Sequence, residues 1–393
     1  MNKSTGNRLR IAMIGLTYPF RGGISHYTTL LFKALEQKHD VCLFSLTRQY
    51  PGFLFPGKSQ KDYSLPLSAR NLPCLDSVNP FSWLATFVKI RRFKPDFILF
   101  SWWHPFFAPS FGTVAHLAKS VANIPVCYLC HNVFPHENSA IDRMLLHYAY
   151  SSADSFIVHS SEDYEKISLL YPYIRTYQAR HSTYDVFAKE NPFTEEEAKA
   201  KLGLTGKKVL LFFGFIRKYK GLKYLLQAME FLKPEQGYHL IVAGEFYEKK
   251  DQYRVYLDSL NSVKQLTLVD YYIPNEDIPL YFSAADLVVV PYVSATQSGI
   301  IQIAYGFLKP VIATSAGGIP DAVADGVTGY LVPPCNARAV ASAIRRYFEC
   351  NEKEKFRKNI ARENKKFSWD QAVMTIEKVG KDIKNSRTGI PKV

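Results

Sequence analysis

Between residues 212 and 222 the sequence reads FFGFIRKYKGL, an apolar run that breaks at Gly214 into a turn carrying Arg217, Lys218 and Lys220. Cations this close repel one another, so the turn is either a solvated basic loop or a place where an anion joins them. A second stretch, ATQSGIIQIAYGFLKPVIATSAGG from 295 to 318, contains no Asp or Glu. There Gln297, Ser298 and Gly299 precede a helix predicted from Ile300 to Phe307, whose first-turn N–H groups are free to meet an anion. Gly299 leaves room for a phosphate, and Gln302, one helical step on, is expected to tolerate change. A third, IGLTYPFRGGISHYTTLLFKAL, sets Gly22 and Gly23 ahead of a helix predicted to begin near Ser25. His131 and Asn132 follow the run VCYLC, with His136 and Glu137 close behind. Such side chains could move a proton or orient a hydroxyl, and His131 could equally do no more than cap the turn. Together the three glycine turns and the cations suit the binding of an anion.

Regular elements must present these groups. Runs such as Arg10–Gly15, Asp96–Ser101, Val126–Cys130, Phe156–His159, Val209–Gly214, His239–Gly244 and Leu287–Pro291 read as strands, separated by segments of helical length. That alternation is an α/β chain with parallel sheets. A length of 393 residues exceeds what one core usually supports, so two domains are expected. Each half opens on a strand followed by a glycine turn, the arrangement in which open α/β sheets hold ligands at the carboxyl ends of their strands. The G-x-G-x-x-G turn of dinucleotide oxidoreductases is absent after the first strand, where Gly15-Leu16-Thr17-Tyr18 stands.

The charge is uneven. Residues 1–130 hold 15 Lys and Arg against 5 Asp and Glu, a net of +10 out of the chain's +14. A basic first third fits a solvated face or an anionic partner: a membrane surface, a phosphorylated acceptor or nucleic acid. The six cysteines are scattered. Cys127 and Cys130 form a C-x-x-C, but within one strand they point to opposite faces, which favours buried thiols over a metal or redox site. Residues 97–118 lack charge over a length that could cross a bilayer, yet Pro105, Pro109 and Gly112 point to strand, loop and helix instead.

Gly22-Gly23-Ile24, His131-Asn132, F-x-G-F-I-R-x-Y-K-G-L, P-Y-x-x-A-T-Q-S-G and K-P-V-I-A-T-x-x-G-G-I-P, in that order, resemble the family 4 glycosyltransferases of the GT-B fold. SWWHPFFAPSFG, CHNVFPHE and ATQSG look like a bacterial branch of that family. The resemblance implies two Rossmann-like domains facing across a cleft: an acceptor domain over residues 1–188, a nucleotide-sugar domain over 189–366, and a last helix over 367–393 crossing back to the first. It implies that His131 lies beside the reacting sugar and that Arg217 and Lys220, with Gly22 and Gly23, embrace the donor diphosphate. Asn132, Glu137, Glu245, Ile273, Gln297, Ser298, Gly299 and Ile300 are the further substrate-binding residues, with backbone near Ile273 meeting the base. The family's paired glutamates fall here on Ala295 and Ile303, so Gln297, Ser298 or Glu245 would substitute for them. Trp102 and Trp103 would either stack on an acceptor or pack the core.

The expected activity is retaining transfer of a hexose-type sugar from a nucleoside diphosphate sugar to a cell-surface glycan or lipid-linked acceptor. It needs no metal and no cofactor beyond the donor, and the sequence has no Asp-x-Asp motif. Expected partners are the nucleotide sugar, the acceptor and an anionic membrane surface, and not nucleic acid. The expected location is cytoplasmic, peripheral at the inner face of the plasma membrane. A non-catalytic nucleotide-sugar binder and a nucleotide-sugar 2-epimerase are the alternatives.

Overall fold

The computed structural model describes residues 8–52, 59–63, 67–134, 139–189 and 191–388. The chain divides into two compact units, one of residues 1–180 with 369–393 and the other of residues 181–368.

The first unit is built on seven parallel strands: β1 (Arg10–Gly15), β2 (Asp40–Arg48), β3 (Leu72–Asp76), β4 (Phe97–Trp102), β5 (Val126–Cys130), β6 (Ser155–Val158) and β7 (Arg175–Gln178), in the order β3-β2-β1-β4-β5-β6-β7. Its central strands are continuous apolar runs because both faces are covered. The covering helices are α1 (Gly23–Glu36), α2 (Pro80–Phe93), α3 (Ala108–Ala122), α4 (Ala140–Tyr150) and α5 (Ser161–Leu170). Trp102 and Trp103 are buried in this core, so they pack rather than lie open. The uncharged segment 97–118 is β4, a short turn and the start of α3, and no helix among the described residues is long and apolar enough to cross a membrane. Cys127 and Cys130 are buried free thiols, and burial holds Cys127 up at about 12. No metal-type cluster occurs among the described residues.

The second unit has six parallel strands: β8 (Lys208–Phe213), β9 (Tyr238–Ala243), β10 (Leu266–Val269), β11 (Leu287–Val290), β12 (Val311–Thr314) and β13 (Gly329–Val332), ordered β10-β9-β8-β11-β12-β13. Its helices are α6 (Val186–Lys189), α7 (Glu195–Lys201), α8 (Leu222–Met229), α9 (Arg254–Ser262), α10 (Ile278–Ala284), α11 (Gly299–Gly306), α12 (Ala337–Glu349) and α13 (Lys353–Glu363). A buried ion cluster fixes the amino ends of β8 and β11. Asp286 accepts from Val209 N at 2.8 Å and pairs with Lys199 at 2.7 Å and Lys353 at 3.0 Å, while Glu195 pairs with Lys309 at 3.0 Å. The opposite, carboxyl ends carry the glycine turns.

The final helix, α14 (Trp369–Thr388), belongs to the first unit. Its polar face is held there by Asp370 with Lys38 at 3.0 Å, Glu377 with His39 at 3.1 Å, and Asp382 with Arg175 at 2.6 Å.

In both sheets the order reverses beside the unit's first strand, between β1 and β4 and between β8 and β11. A crevice at the carboxyl ends of such strands is where doubly wound sheets take ligands. Every glycine turn singled out in the sequence leads from one of these strands.

Candidate active site

In the second unit, β8 ends at Phe213 and Gly214 follows with φ 96°, a left-handed conformation that favours glycine. A Cβ there would stand 3.0 Å from Lys220 Nζ and 3.4 Å from Ile300 Cδ1. Gly214, Lys220 and Ile300 therefore meet at the β8/β11 switch point. Gly221, φ 67°, presses the turn onto the end of β11, since a Cβ would lie 2.0 Å from Pro291 O. Val293 N donating to Tyr219 O at 2.7 Å joins the two loops.

Lys220 is buried, with its ammonium 5.8 Å from the centre of the Tyr292 ring. Removal from water, and then the nearby Arg217 charge, bring its pKa down to about 7. No carboxylate among the described residues counters this. Arg217 is exposed, its guanidinium 4.9 Å from the centre of the Tyr247 ring. Tyr247 lies against Phe215 at 4.4 Å, and Phe215 faces Tyr272 at 6.0 Å, an aromatic platform beside the buried Ile273. Glu245 is buried after β9 and tied to the β8 turn by Ile216 N donating to its carbonyl at 2.9 Å.

Helix α11 begins at Gly299, one residue earlier than predicted, with Ser298 in extended conformation as N-cap. No side chain caps the helix and its first turn has no acid, so its N–H groups keep their partial positive charge. The space beside Gly299 is already used: a Cβ would stand 3.3 Å from Tyr184 Cε2. Gln302 is buried rather than peripheral, and its carbonyl accepts from Tyr184 N at 3.4 Å. A substitution there therefore meets packed neighbours on its side of the helix. Ala295 and Ile303 are both buried.

In the first unit, α1 starts at Gly23 rather than near Ser25, and Gly22, φ 100°, is its N-cap with no acid in the first turn. His131 is buried just beyond β5. Its Nε2 lies 3.0 Å from Ser101 Oγ, which is 3.0 Å from Thr28 Oγ1. This close approach of α1 to β4 requires Gly15, where a Cβ would come within 2.9 Å of both Ser101 and Thr28. The His131 ring meets Tyr27 edge-on at 4.7 Å and His159 at 5.2 Å, and Trp369 of α14 closes the group 5.0 Å from Tyr27. His159 donates from Nδ1 to Ala179 O at 2.7 Å, and burial lowers its pKa to about 4. Asn132 Nδ2 donates to Trp103 O at 3.3 Å. Glu137 and His136 lie outside the described residues.

Sequence reasoning missed Tyr27, His159, Trp369, Tyr184 and Tyr292. Each is an aromatic residue whose neighbours are distant in sequence, and no local spacing marks it.

Two family models match the chain in succession, glycosyltransferase family 4 over residues 21–177 and glycosyl transferases group 1 over residues 207–350. The chain belongs to the family 4 glycosyltransferases. This glycosyltransferase is 25% identical over 279 residues to a D-inositol 3-phosphate glycosyltransferase of Corynebacterium glutamicum (strain R), an alignment covering 66% of each chain. It is 23% identical to an uncharacterized glycosyltransferase of Methanocaldococcus jannaschii over 95% of its own length and 99% of that chain. Among solved structures it is similar to Anabaena HepE in complex with UDP-glucose, with a TM-score of 0.68, 18% identity, and coverage of 98% of this chain and 100% of the other. That likeness shows the fold, GT-B, with its two Rossmann-like domains.

Proposed function

We propose that this glycosyltransferase moves a hexose-type sugar, with retention, from a nucleoside diphosphate sugar to a cell-surface glycan or lipid-linked acceptor. The observation that carries the proposal is Lys220: a buried ammonium with no carboxylate partner among the described residues, at the switch point where the uncapped α11 also begins. A buried unpaired charge is costly, and an arriving diphosphate removes that cost. The HepE structure with UDP-glucose supports a donor of this class.

As the sugar–phosphate bond breaks, charge grows on the leaving diphosphate. Lys220, the more exposed Arg217 and the N–H groups at Gly299 and Ile300 stabilise it in proportion, which lowers the barrier and needs no metal. The aromatic platform of Phe215, Tyr247 and Tyr272 flanks Ile273, where backbone would meet the base. In a front-face reaction the departing phosphate oxygen takes the proton of the acceptor hydroxyl, so the missing glutamates at Ala295 and Ile303 change how donor is gripped without removing a base. At the carboxyl edge of the first unit's sheet stand His131, beside the reacting sugar in this reading, Asn132, and Gly22 and Gly23, which would add to the grip on the diphosphate. A lipid-linked acceptor would keep the enzyme at the inner membrane face.

Proton NMR of the first-formed product tests the reaction. The new linkage is expected to have the anomeric sense of the donor. The opposite sense would require a side-chain base, while nucleotide binding with no transfer to any acceptor would leave a binding protein.

A further inference from the structure

Among the described residues, one face of helix α2 has no partner in the first unit. At about 100° per residue, Phe81, Leu84, Val88, Lys89, Arg91 and Arg92 fall on one side, and all are exposed. Phe81 is 82% exposed, Leu84 49% and Val88 43%. The opposite side, Thr86, Phe87 and Ile90, is buried against the sheet and accounts for the helix's place in the fold. The exposed stripe is segregated: its apolar residues occupy the first turns and its cations the last. Lys94 adds a fourth positive charge just past the helix end, and among the described residues none of the four cations is held in an ion pair. Next to the helix, Leu72 of the edge strand β3 and Val78 are also exposed.

We infer that this face of α2 is a docking surface for a bilayer containing anionic lipid. Large apolar side chains left in water beside unpaired cations match a boundary that is apolar below and negative above. Because the separation runs along the helix, its first turns can enter the interface while the Lys and Arg of its last turns stay at the headgroups. A second copy of the chain suits the face less well, because α2 has no acidic residue to meet the cations that pairing would enclose. Since α2 follows β3, its apolar first turns lie at the strand ends on the edge that also carries Gly22, Gly23 and His131. Docking there would set that edge at the lipid boundary. The inference rests on the proposed place of the enzyme at the membrane face, and donor binding in the second unit, measured separately, tells its failure from a failure of the proposed reaction.

The test is sedimentation of the full chain with vesicles of phosphatidylcholine alone and of phosphatidylcholine mixed with phosphatidylglycerol, at low and high salt. Binding is expected to the anionic vesicles at low salt and to weaken with salt. Removing a headgroup-facing cation costs about 1 kcal/mol, or roughly five-fold. Arg91→Gln with Arg92→Gln should therefore weaken binding roughly 25-fold. Phe81→Ser with Leu84→Ser should weaken it at least about ten-fold through lost apolar burial. Lys358→Gln with Lys365→Gln, which removes the same charge from exposed sites in the second unit, should leave it unchanged. Equal binding to neutral and anionic vesicles overturns the inference, as does full binding by either α2 double variant. So does light scattering showing a dimer that the α2 variants dissociate while vesicle binding persists.

Discussion

A methyl group on Gly214 would stand 3.0 Å from the ammonium of Lys220, so the glycine and the lysine divide one small space at the end of β8. The turn brings Lys220 back over the strand end, where a Cβ at 214 would push the ammonium aside by a few tenths of an ångström. Gly214→Ala also meets a backbone φ of 96°, a strain on the order of 1–3 kcal/mol. Donor affinity is expected to fall roughly ten-fold or more, about 1.4 kcal/mol. Calorimetric titration with the donor checks it, and unchanged affinity would mean that Lys220 does not face the ligand.

Lys220 should oppose stability while it serves binding. Its folded pKa is about 7 against an ordinary 10.5. Between those values the unfolded chain carries a proton that the folded chain does not, so stability rises with pH across the window and is lower at its acid end. Lys220→Met is expected to raise Tm at pH 7 by at least about 2 °C while abolishing tight donor binding. The free enzyme should also take up protons when donor binds near pH 8, which titration in buffers of different ionisation enthalpy detects. A Tm lowered by the substitution would show that the ammonium is paired.

Gly299 and Tyr184 are expected to be coupled. A Cβ at 299 would press on Tyr184 Cε2 at 3.3 Å, and overpacking of this kind costs about 1–3 kcal/mol. Denaturant melts of Gly299→Ala, Tyr184→Leu and the pair form a double-mutant cycle. The pair should be more stable than the two single losses added together. Simple additivity would mean that the glycine is there for the ligand alone.

His159 should make the first unit acid-sensitive. Burial holds its pKa at about 4 against an ordinary 6.5, so stability is fully present above about pH 6.5 and declines as pH falls towards 4. His159→Phe should flatten the dependence of unfolding free energy on pH between those values, at the loss of the bond to Ala179 O. An unchanged slope would place the acid sensitivity elsewhere.

Much of the architecture was legible because strands buried on both faces announce themselves as continuous apolar runs. The helix starts near Gly22 and Ser298 were legible to within two residues because glycine and small polar residues mark them. The contacts that give these sites their character were not legible. Tyr184 reaches Gly299 and Gln302 across more than a hundred residues, and Trp369 joins Tyr27 from the far end of the chain. Neither leaves a periodic trace. The burial of Gln302 leaves no trace of its own either, because a lone polar residue on a helix does not show which neighbours will cover it. The charge of α2 was plain from Lys89, Arg91, Arg92 and Lys94, but only the fold shows that Phe81, Leu84 and Val88 share their side in water.

The most direct measurement is calorimetric binding of a panel of nucleoside diphosphates and their sugars to the full chain and to Lys220→Ala, each paired with an assay of nucleotide release. At least one nucleoside diphosphate sugar is expected to bind and be turned over. Turnover should fall on the order of 100-fold in the variant, the effect of removing one charge-stabilising donor. Equal turnover by the variant, or no binding of any member of the panel, would contradict the assignment of Lys220 and the start of α11 to the donor diphosphate.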